Sequence, residues 1–277
     1  MIEVKNLSYS YDPDDAPVLK GLDLEISPGR YMGIIGPNGC GKTTLLRHLN
    51  GLLTPSKGDV WVDGINTKDE DQLYLIRQSV GMVFQNPDDQ IVGMSVEEDV
   101  SFGPENMGLA PKEIRQRVHN ALERVNMAEK ATKAPHTLSN GEKQRVALAG
   151  VLAMSPHTIA LDEPTTYLDP GARKRLLAVI RNLQQQGVTI VHVTHTMEDI
   201  VNADEIVVMD QGAIVLHGSP GDIFSEIEQL DGLGLGIPQM TTLMLRLKKM
   251  GVPVRTDIFS VDEACMAFSA LMGNRRE

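Results

Sequence analysis

Gly36-Pro-Asn-Gly-Cys-Gly-Lys-Thr43 is the stretch that decides the fold of this chain. It matches the pattern G-x-x-x-x-G-K-[ST] without a mismatch. A short apolar run at residues 31–35 precedes it, and a helical pattern over residues 43–51 follows it. The glycines let backbone N–H groups converge on phosphate oxygens, and the helix adds the positive end of its dipole. This strand–loop–helix unit predicts a nucleotide phosphate site. A dinucleotide-binding loop is excluded, because the glycines are not spaced as G-x-G-x-x-G.

The loop also predicts individual contacts. Lys42 should reach the β- and γ-phosphates, and the Thr43 hydroxyl should bind Mg²⁺. Cys40 lies beside the anion site at a helix N-terminus, so we expect a lowered thiol pKa and alkylation that bound ATP prevents; a small filler residue is the open alternative. The expected nucleotide contacts are Gly36, Pro37, Asn38, Gly39, Cys40, Gly41, Lys42, Thr43 and Thr44.

Composition narrows the class of protein. The chain has 277 residues, 42% of them hydrophobic, with a net charge of −11 and a pI near 5.1. That length suits one large α/β domain with a small appendage. The acidic balance and the lack of a basic stripe disfavour nucleic-acid binding. We expect neither a signal peptide nor a membrane span, and two cysteines suit a reducing compartment.

The order of patterns along the chain predicts its organisation. Residues 2–35 indicate short strands, and further strands are expected near 58–64, 80–84, 158–161 and 188–193. A helical block begins near residue 86 and separates two halves of what should be a parallel sheet. Beyond residue 225, glycines at 232, 234 and 236 predict a hinge, followed by a methionine-rich helix and a capping box that begins a last helix. We interpret this tail as a dimer-contacting appendage.

Two adjacent carboxylates end one of the predicted buried strands. Unpaired buried charge is costly, so Asp162 and Glu163 need a functional reason. Asp162 fits a ligand of Mg²⁺, and Glu163 fits the base that polarises an attacking water.

A second peptide, Leu138-Ser-Asn-Gly-Glu142, resembles the signature peptide of ATP-binding-cassette (ABC) ATPases. With the phosphate loop, it identifies the chain as a member of that family. The resemblance implies a P-loop NTPase fold: a RecA-like α/β core, an inserted helical subdomain at about 86–155, an antiparallel β subdomain and a helical appendage. It places the nucleotide-binding domain at 1–225 and the appendage at 226–277.

The resemblance also implies roles for particular residues. Tyr11 would stack on adenine, with Tyr9 as an alternative, and Gln85 would sense Mg²⁺ and the γ-phosphate. His195 would be the switch histidine on the γ-phosphate. His192 lies three residues earlier, and residues so spaced on a strand face opposite sides, so we expect no shared metal site.

The family resemblance further implies that one chain is insufficient. Ser139, Gly141 and Glu142 would cap the γ-phosphate bound by the other subunit of a head-to-tail dimer, and Asp169 would contact that subunit. The partner would be a second copy or a sister ATPase. Asn140, Glu142 and Tyr167 depart from the usual residues, and the Glu142 carboxylate is expected to weaken closure.

Residues 84–91 and 95–109 resemble the ATPase subunits of energy-coupling-factor importers for cobalt, nickel or vitamins. That resemblance implies an ATPase on the cytoplasmic face of the membrane, with a transmembrane coupling protein and a substrate-binding membrane protein as partners. A groove after Gln85 would take a coupling helix, and the acidic residues between 88 and 99 are expected either to line it or to form a solvated face. The alternatives are an ATPase of another ABC transporter class or a soluble ABC ATPase without a membrane partner.

Overall fold

The structure, a computed structural model, describes residues 1–273 and contains two sheets in that range. The strands are β1 (Ile2–Tyr9), β2 (Leu19–Ile26), β3 (Tyr31–Ile35), β4 (Lys57–Val62), β5 (Ile65–Asn66), β6 (Val80–Val83), β7 (Thr158–Asp162), β8 (Thr189–Val193), β9 (Glu205–Asp210) and β10 (Ala213–Gly218). The helices are α1 (Lys42–Leu49), α2 (Leu73–Ser79), α3 (Val96–Asn106), α4 (Pro111–Arg124), α5 (Asn140–Ala153), α6 (Pro170–Gln185), α7 (Pro220–Ser225), α8 (Ile227–Gly232), α9 (Gln239–Lys249) and α10 (Val261–Gly273).

The larger sheet has the order β10-β9-β3-β8-β7-β6, and all of its pairs are parallel except β9 with β10. Every residue of β3, β6, β7 and β8 is buried, as their continuous apolar runs predict for strands covered on both faces. In the register of the sheet, Ile34 and Asp162 both pair with Val193, and Val83 pairs with Leu161. The carboxyl ends of four strands therefore meet at one edge, where ligands bind in open parallel sheets.

Alternate residues of β3 enter two hydrophobic cores on opposite faces of the sheet. The smaller core lies between this sheet and the antiparallel sheet, and the larger core lies between this sheet and the helices. Met32 and Ile34 pack with the smaller sheet and α1, whereas Tyr31 and Ile35 pack with the helices on the other face. This follows from the twofold periodicity of strand side chains. The parallel sheet is thus the middle layer of three.

The smaller sheet is antiparallel, in the order β2-β1-β4-β5. Its outer strand β2 alternates between buried and exposed residues, which suits a sheet with one face on the core. Gly58, the second residue of β4, has a φ of +75°, and a Cβ there would lie 2.1 Å from the Asn6 carbonyl oxygen. Only glycine, which has no Cβ, allows the backbones of β1 and β4 to approach this closely.

Helices α3, α4 and α5 lie between β6 and β7 in the chain and form the predicted inserted lobe. Helix α4 begins at Pro111, as expected from a proline suited to a first helical turn. Helix α5 is buried on most sides because α3, α4 and α6 all pack against it.

The tail contains the predicted helices. Met244 of α9 packs with Val254, Ile258 and Ala264 in a small cluster of its own. Ser260 and Glu263 exchange the backbone bonds of a capping box before α10. The division of the chain at residue 225 remains a prediction. Beyond it, Leu230 and Leu235 are still part of the larger core.

Candidate functional site

The phosphate loop leaves the carboxyl end of β3 and enters α1. Gly39 and Gly41 have φ angles of +78° and +107°, and a Cβ on Gly41 would lie 2.7 Å from Leu19. Both positions therefore favour glycine for conformation, and Gly41 favours it for space as well. Lys42 is 6% exposed, and its Nζ donates to the carbonyl oxygens of Gly36 at 2.7 Å and Pro37 at 3.0 Å. The loop thus wraps around a buried ammonium group, an arrangement suited to an anion.

Cys40 differs from the sequence-based expectation. Its side chain is 4% exposed, and burial raises the pKa of the thiol, although Lys42 acts in the opposite direction. The predicted lowering of this pKa is wrong, because desolvation of the thiolate outweighs the nearby positive charge. Cys40 instead serves as a packed residue under the loop, among the side chains of the smaller core.

Asp162 and Thr43 meet at the edge of the parallel sheet. The Thr43 hydroxyl donates to Asp162 Oδ1 at 2.9 Å, and burial raises the pKa of Asp162. A hydroxyl oxygen and a carboxylate oxygen are hard ligands of the kind that Mg²⁺ takes from proteins, which usually supply few ligands beside substrate phosphates. A cation here would stabilise the ionised Asp162 that burial disfavours, so the residues fit Mg²⁺.

Glu163 follows Asp162 and has an uncommon backbone conformation for a non-glycine residue, with φ of +47°. Such angles are retained where surrounding contacts determine them, often at functional sites. Its Oε2 accepts from Gln85 Nε2 at 3.2 Å and from Thr166 Oγ1 at 3.0 Å, and His195 Nδ1 lies 3.1 Å away. One carboxylate oxygen therefore gathers side chains that follow β6, β7 and β8.

Two neighbouring cavities open beside these residues. The first, of about 430 Å³, is lined by Tyr11, Val18, Asn38, Gly39, Gly41, Lys42, Thr43, Thr44 and Glu163. The second, of about 610 Å³, is lined by Asn38, Gln85, Glu163, Thr166, His195, Gly234, Leu235 and Gly236. The structure thus brings together the predicted phosphate loop, both strand-end carboxylates, Gln85 and His195.

Tyr11 is better placed than Tyr9 for an adenine contact. Tyr11 is 56% exposed at the first cavity, and its hydroxyl lies 3.1 Å from Thr44 Oγ1. Tyr9 is half-buried between Tyr11 and His48, with ring centroids 5.1 and 4.6 Å away.

The two histidines near the end of β8 lie in different surroundings. His192 is fully buried, with its Nδ1 2.8 Å from the Tyr31 hydroxyl, whereas His195 lines the second cavity.

Asp199 forms a buried polar centre behind the cavity that the sequence interpretation did not identify. Its carboxylate accepts from Arg173 Nε at 2.6 Å, Thr165 Oγ1 at 2.5 Å and Thr194 Oγ1 at 3.3 Å. Thr165 follows Glu163 by two residues, and Thr194 directly precedes His195. Asp199 therefore ties together the segments that carry both side chains.

The signature peptide begins α5 away from this site. Neither cavity is lined by Ser139, Gly141, Glu142 or Asp169, all within the described part of the chain. Glu142 accepts from the Ser139 backbone N–H at 3.0 Å and pairs with Lys130, which together lower its pKa to about 2. The Glu142 carboxylate, which was expected to weaken closure, is thus ionised and paired with a lysine of its own chain. Asp169 caps α6 through the N–H groups of Gly171 and Ala172, both at 2.9 Å.

The acidic residues between 88 and 99 do not line one groove. Asp88 pairs with Lys143 at 2.7 Å, and Asp99 is buried, where it accepts from the N–H groups of Val92 and Gly93. Instead, α3 lies between two clefts. The one nearer Gln85 has a volume of about 550 Å³ and includes the exposed side chains of Leu52, Tyr74, Val92 and Phe102.

Comparison with known proteins agrees with this architecture. Residues 19–166, more than half of the chain, match the family model described as ABC transporter. This chain belongs to the ABC transporter family. Its ABC fold, with a P-loop at the sheet edge, confirms the fold class predicted from the sequence.

Relatives of this ABC protein cover nearly its full length. A cobalt import ATP-binding protein, CbiO, from Syntrophus aciditrophicus is 49% identical over 270 residues, which are 98% of this chain and 96% of the relative. An energy-coupling factor transporter ATP-binding protein, EcfA1, from Clostridium novyi is 49% identical over 275 residues, or 98% of each chain. The chain is an ATPase of this energy-coupling-factor group.

Solved structures of ABC proteins have folds similar to that of this chain. CbiO1 from Clostridium perfringens, described as part of an ABC transporter complex, has a TM-score of 0.77 and 39% identity over 88% of this chain and 98% of its own. A dimeric ATP-binding cassette in a post-hydrolysis state, bound to ADP and Pi, has a TM-score of 0.71 and 30% identity over 79% of this chain and 98% of its own. Within residues 1–273, no helix of this ABC ATPase has the length and apolarity that a membrane span requires.

The contrast between the two cysteines is testable. Cys40 is buried with a raised pKa, whereas Cys265 on α10 is exposed. Only the thiolate form of cysteine reacts. A raised pKa lowers the fraction of Cys40 that is thiolate at neutral pH, so Cys40 should react more slowly than a thiol whose pKa is not raised. We expect iodoacetamide at pH 7 to modify Cys265 well before Cys40, and the Cys40 rate to rise as the pH approaches its raised pKa. Peptide mass spectrometry over time checks this, and equal rates at pH 7 would contradict it.

The Asp199 centre predicts a large effect on stability. Asp199→Ala leaves Arg173 and two threonine hydroxyls without their shared acceptor, so we expect the free energy of unfolding to fall by about 3 kcal/mol. Urea unfolding measures the change. The control is Asp257→Ala, which removes an exposed ion pair with Arg255 and should change stability little. An Asp199→Ala protein as stable as this control would show that the centre does not hold the two segments.

Proposed function

We propose that this chain hydrolyses ATP as the energising subunit of an energy-coupling-factor importer for a transition-metal ion or a vitamin. The observation that carries the hydrolytic part is the convergence of Gln85, Thr166 and His195 on one oxygen of Glu163 beside the phosphate loop. The membrane part is supported by relatives named as transporter ATP-binding subunits and by the apolar cleft along α3.

The first cavity would bind the nucleotide. Tyr11 offers an exposed aromatic face for adenine, and the loop N–H groups and Lys42 offer positive charge for the triphosphate. The predicted contacts from Gly36 to Thr44 all lie in this loop or in the first turns of α1. Thr43, Asp162 and Gln85 would hold Mg²⁺, which would neutralise charge on the phosphates when bound.

The second cavity would hold the attacking water. Glu163 would accept its proton while the water oxygen bonds to the γ-phosphorus and ADP leaves with the bridging oxygen. The fixed φ of Glu163 and its three polar neighbours would orient the carboxylate for that transfer. His195 would contact the γ-phosphate at the same time, since it lines the same cavity as Asn38 of the loop.

The second subunit would complete the site. Ser139, Gly141 and Glu142 line neither cavity of their own chain, which supports a role in capping the γ-phosphate bound by another molecule. The solved dimeric cassette with 30% identity supports such a pair. The second subunit would be a copy of this chain or a sister ATPase, with Asp169 at their contact.

The cleft near Gln85 would receive a helix of the transmembrane coupling protein, which would in turn contact the substrate-binding membrane protein. Four large apolar side chains, 45–68% exposed, line this one cleft. Clustered exposed apolar surface of this kind marks an interaction site. We propose on this basis that the chain works at the cytoplasmic face of the membrane, without contacting nucleic acid.

Glu163 provides the direct test of hydrolysis. Glu163→Gln keeps the shape of the side chain but removes the base, so the hydrolysis rate should fall by roughly 10²–10⁴-fold. The variant should still bind ATP and should accumulate as an ATP-bound dimer in size-exclusion chromatography. Hydrolysis at the parent rate would contradict the proposed role of Glu163.

Phe102 provides the test of the membrane partner. Phe102→Asp places a charge in the cleft, so we expect loss of co-purification with the integral membrane partners and loss of uptake. ATP hydrolysis by the isolated chain should be unchanged, because Phe102 lines neither catalytic cavity. The control is Val215→Asp on β10, where the side chain is 46% exposed outside the cleft. Normal uptake with Phe102→Asp would exclude the cleft as the docking site.

A further inference from the structure

The loop that joins α8 to α9, residues 233–237, forms one side of the cavity that holds Glu163 and His195. We call it the glycine loop. Its residues Gly234, Leu235 and Gly236 line the same cavity as the side chains that meet at Glu163. This segment lies in the C-terminal tail, more than 70 residues after Glu163 in the sequence. The tail therefore contributes directly to the surface of the proposed hydrolysis site.

The glycine loop contacts only one of the two cavities. The nucleotide cavity is lined by Tyr11 and the phosphate loop and contains no residue from the tail. The two cavities share Asn38 and Glu163. A change in the glycine loop should consequently affect hydrolysis without affecting the binding of nucleotide to one chain.

Both ends of the glycine loop are anchored to the catalytic core. Leu230 and Leu235 are 0% and 7% exposed in the larger core, and the Leu235 N–H donates to the Leu230 carbonyl at 2.8 Å. At the other end, the Gln239 N–H donates to Glu198 Oε1 at 3.1 Å, and Glu198 lies three residues after His195. The glycine loop is thus held at a defined position beside the segment that carries His195.

No close contact within one chain requires glycine at either of two positions of the loop. A Cβ on Gly234 or Gly236 would meet no atom within 4 Å. Gly234 has a φ of +70°, which favours glycine, but Gly236 has no such backbone requirement. A side chain at 236 would therefore enter open space at a position that lines the cavity.

We infer that the glycine loop is a wall of the hydrolysis chamber, and that Gly234 and Gly236 keep this wall low so that the second subunit can close over the γ-phosphate. This inference rests on the proposed function and deepens it. Gly236 is a positioning residue in this arrangement: it touches no reacting atom, but its size determines whether the chamber can close. The C-terminal tail then takes part in hydrolysis in addition to contacting the other subunit.

The test is a size series at Gly236 in the full-length chain, with Gly236→Ala, Gly236→Val and Gly236→Leu. We expect kcat for ATP hydrolysis to fall progressively, by at least about tenfold for leucine, since a misplacement of about 1 Å can cost on the order of 10²-fold in rate. The dissociation constant for a fluorescent ATP analogue should stay within about twofold of the parent value. In the Glu163→Gln background, Gly236→Leu should abolish the ATP-dependent dimer.

Gly232→Leu is the matched control. Gly232 also has no atom within 4 Å of its Cβ position and no positive φ, but it does not line the cavity. It should retain the parent kcat. If Gly236→Leu does not fold, as judged by nucleotide binding and circular dichroism, the alanine and valine variants decide the result.

The parent rate throughout the size series would overturn the inference, and so would an ATP-dependent dimer that persists with Gly236→Leu. An equal loss of rate in Gly232→Leu would also overturn it. Failure of the proposed function gives a different result: Glu163→Gln alone would hydrolyse ATP at the parent rate and form no ATP-dependent dimer.

Discussion

The carboxylate of Glu163 is held at one point by the ends of three parallel strands, and the site depends on that constraint. Gln85 follows β6, Thr166 belongs to the turn after β7, and His195 follows β8. Gln85 and His195 come from distant parts of the chain, so no local interaction could place them beside Glu163. The sheet register aligns the strand ends, and the conformation of Glu163 points its carboxylate at the shared position. Asp199 fixes the turns from behind through Thr165 and Thr194.

The proposed roles in binding and in chemistry fall on two neighbouring cavities. One is lined by the phosphate loop with its buried ammonium group, and the other is lined by Gln85, Thr166 and His195, the polar neighbours of Glu163. Asn38 and Glu163 lie at their boundary. A phosphate bound in the first would extend toward the second only at its γ end. Under the proposed function, this layout would let nucleotide bind to an open chain before a second subunit closes the site for hydrolysis.

The acidic residues at the starts of α5 and α6 already have partners within their own chain. Lys130 and the Ser139 N–H both stabilise the negative charge of Glu142 and lower the pKa of this carboxyl to about 2. Glu142, which departs from the usual residue at this position, is therefore paired with a cation of its own chain. Asp169 is likewise occupied with capping α6.

The sequence by itself determined what depends on consecutive residues. The phosphate loop was predictable because its glycines, lysine and threonine act within eight residues, and the strands were predictable from unbroken apolar runs between turns. The family resemblance then indicated Gln85 and His195, which no spacing could have joined to Glu163. Tertiary structure alone decided which strands are neighbours. It also decided the pKa of Cys40, because that pKa depends on how deeply the thiol is packed. The Asp199 centre depends on tertiary structure as well, because its partners are 5 to 34 residues away. It also brought the glycine loop to the catalytic cavity, since burial of Leu230 and Leu235 in the larger core, rather than any local pattern, sets where that loop lies.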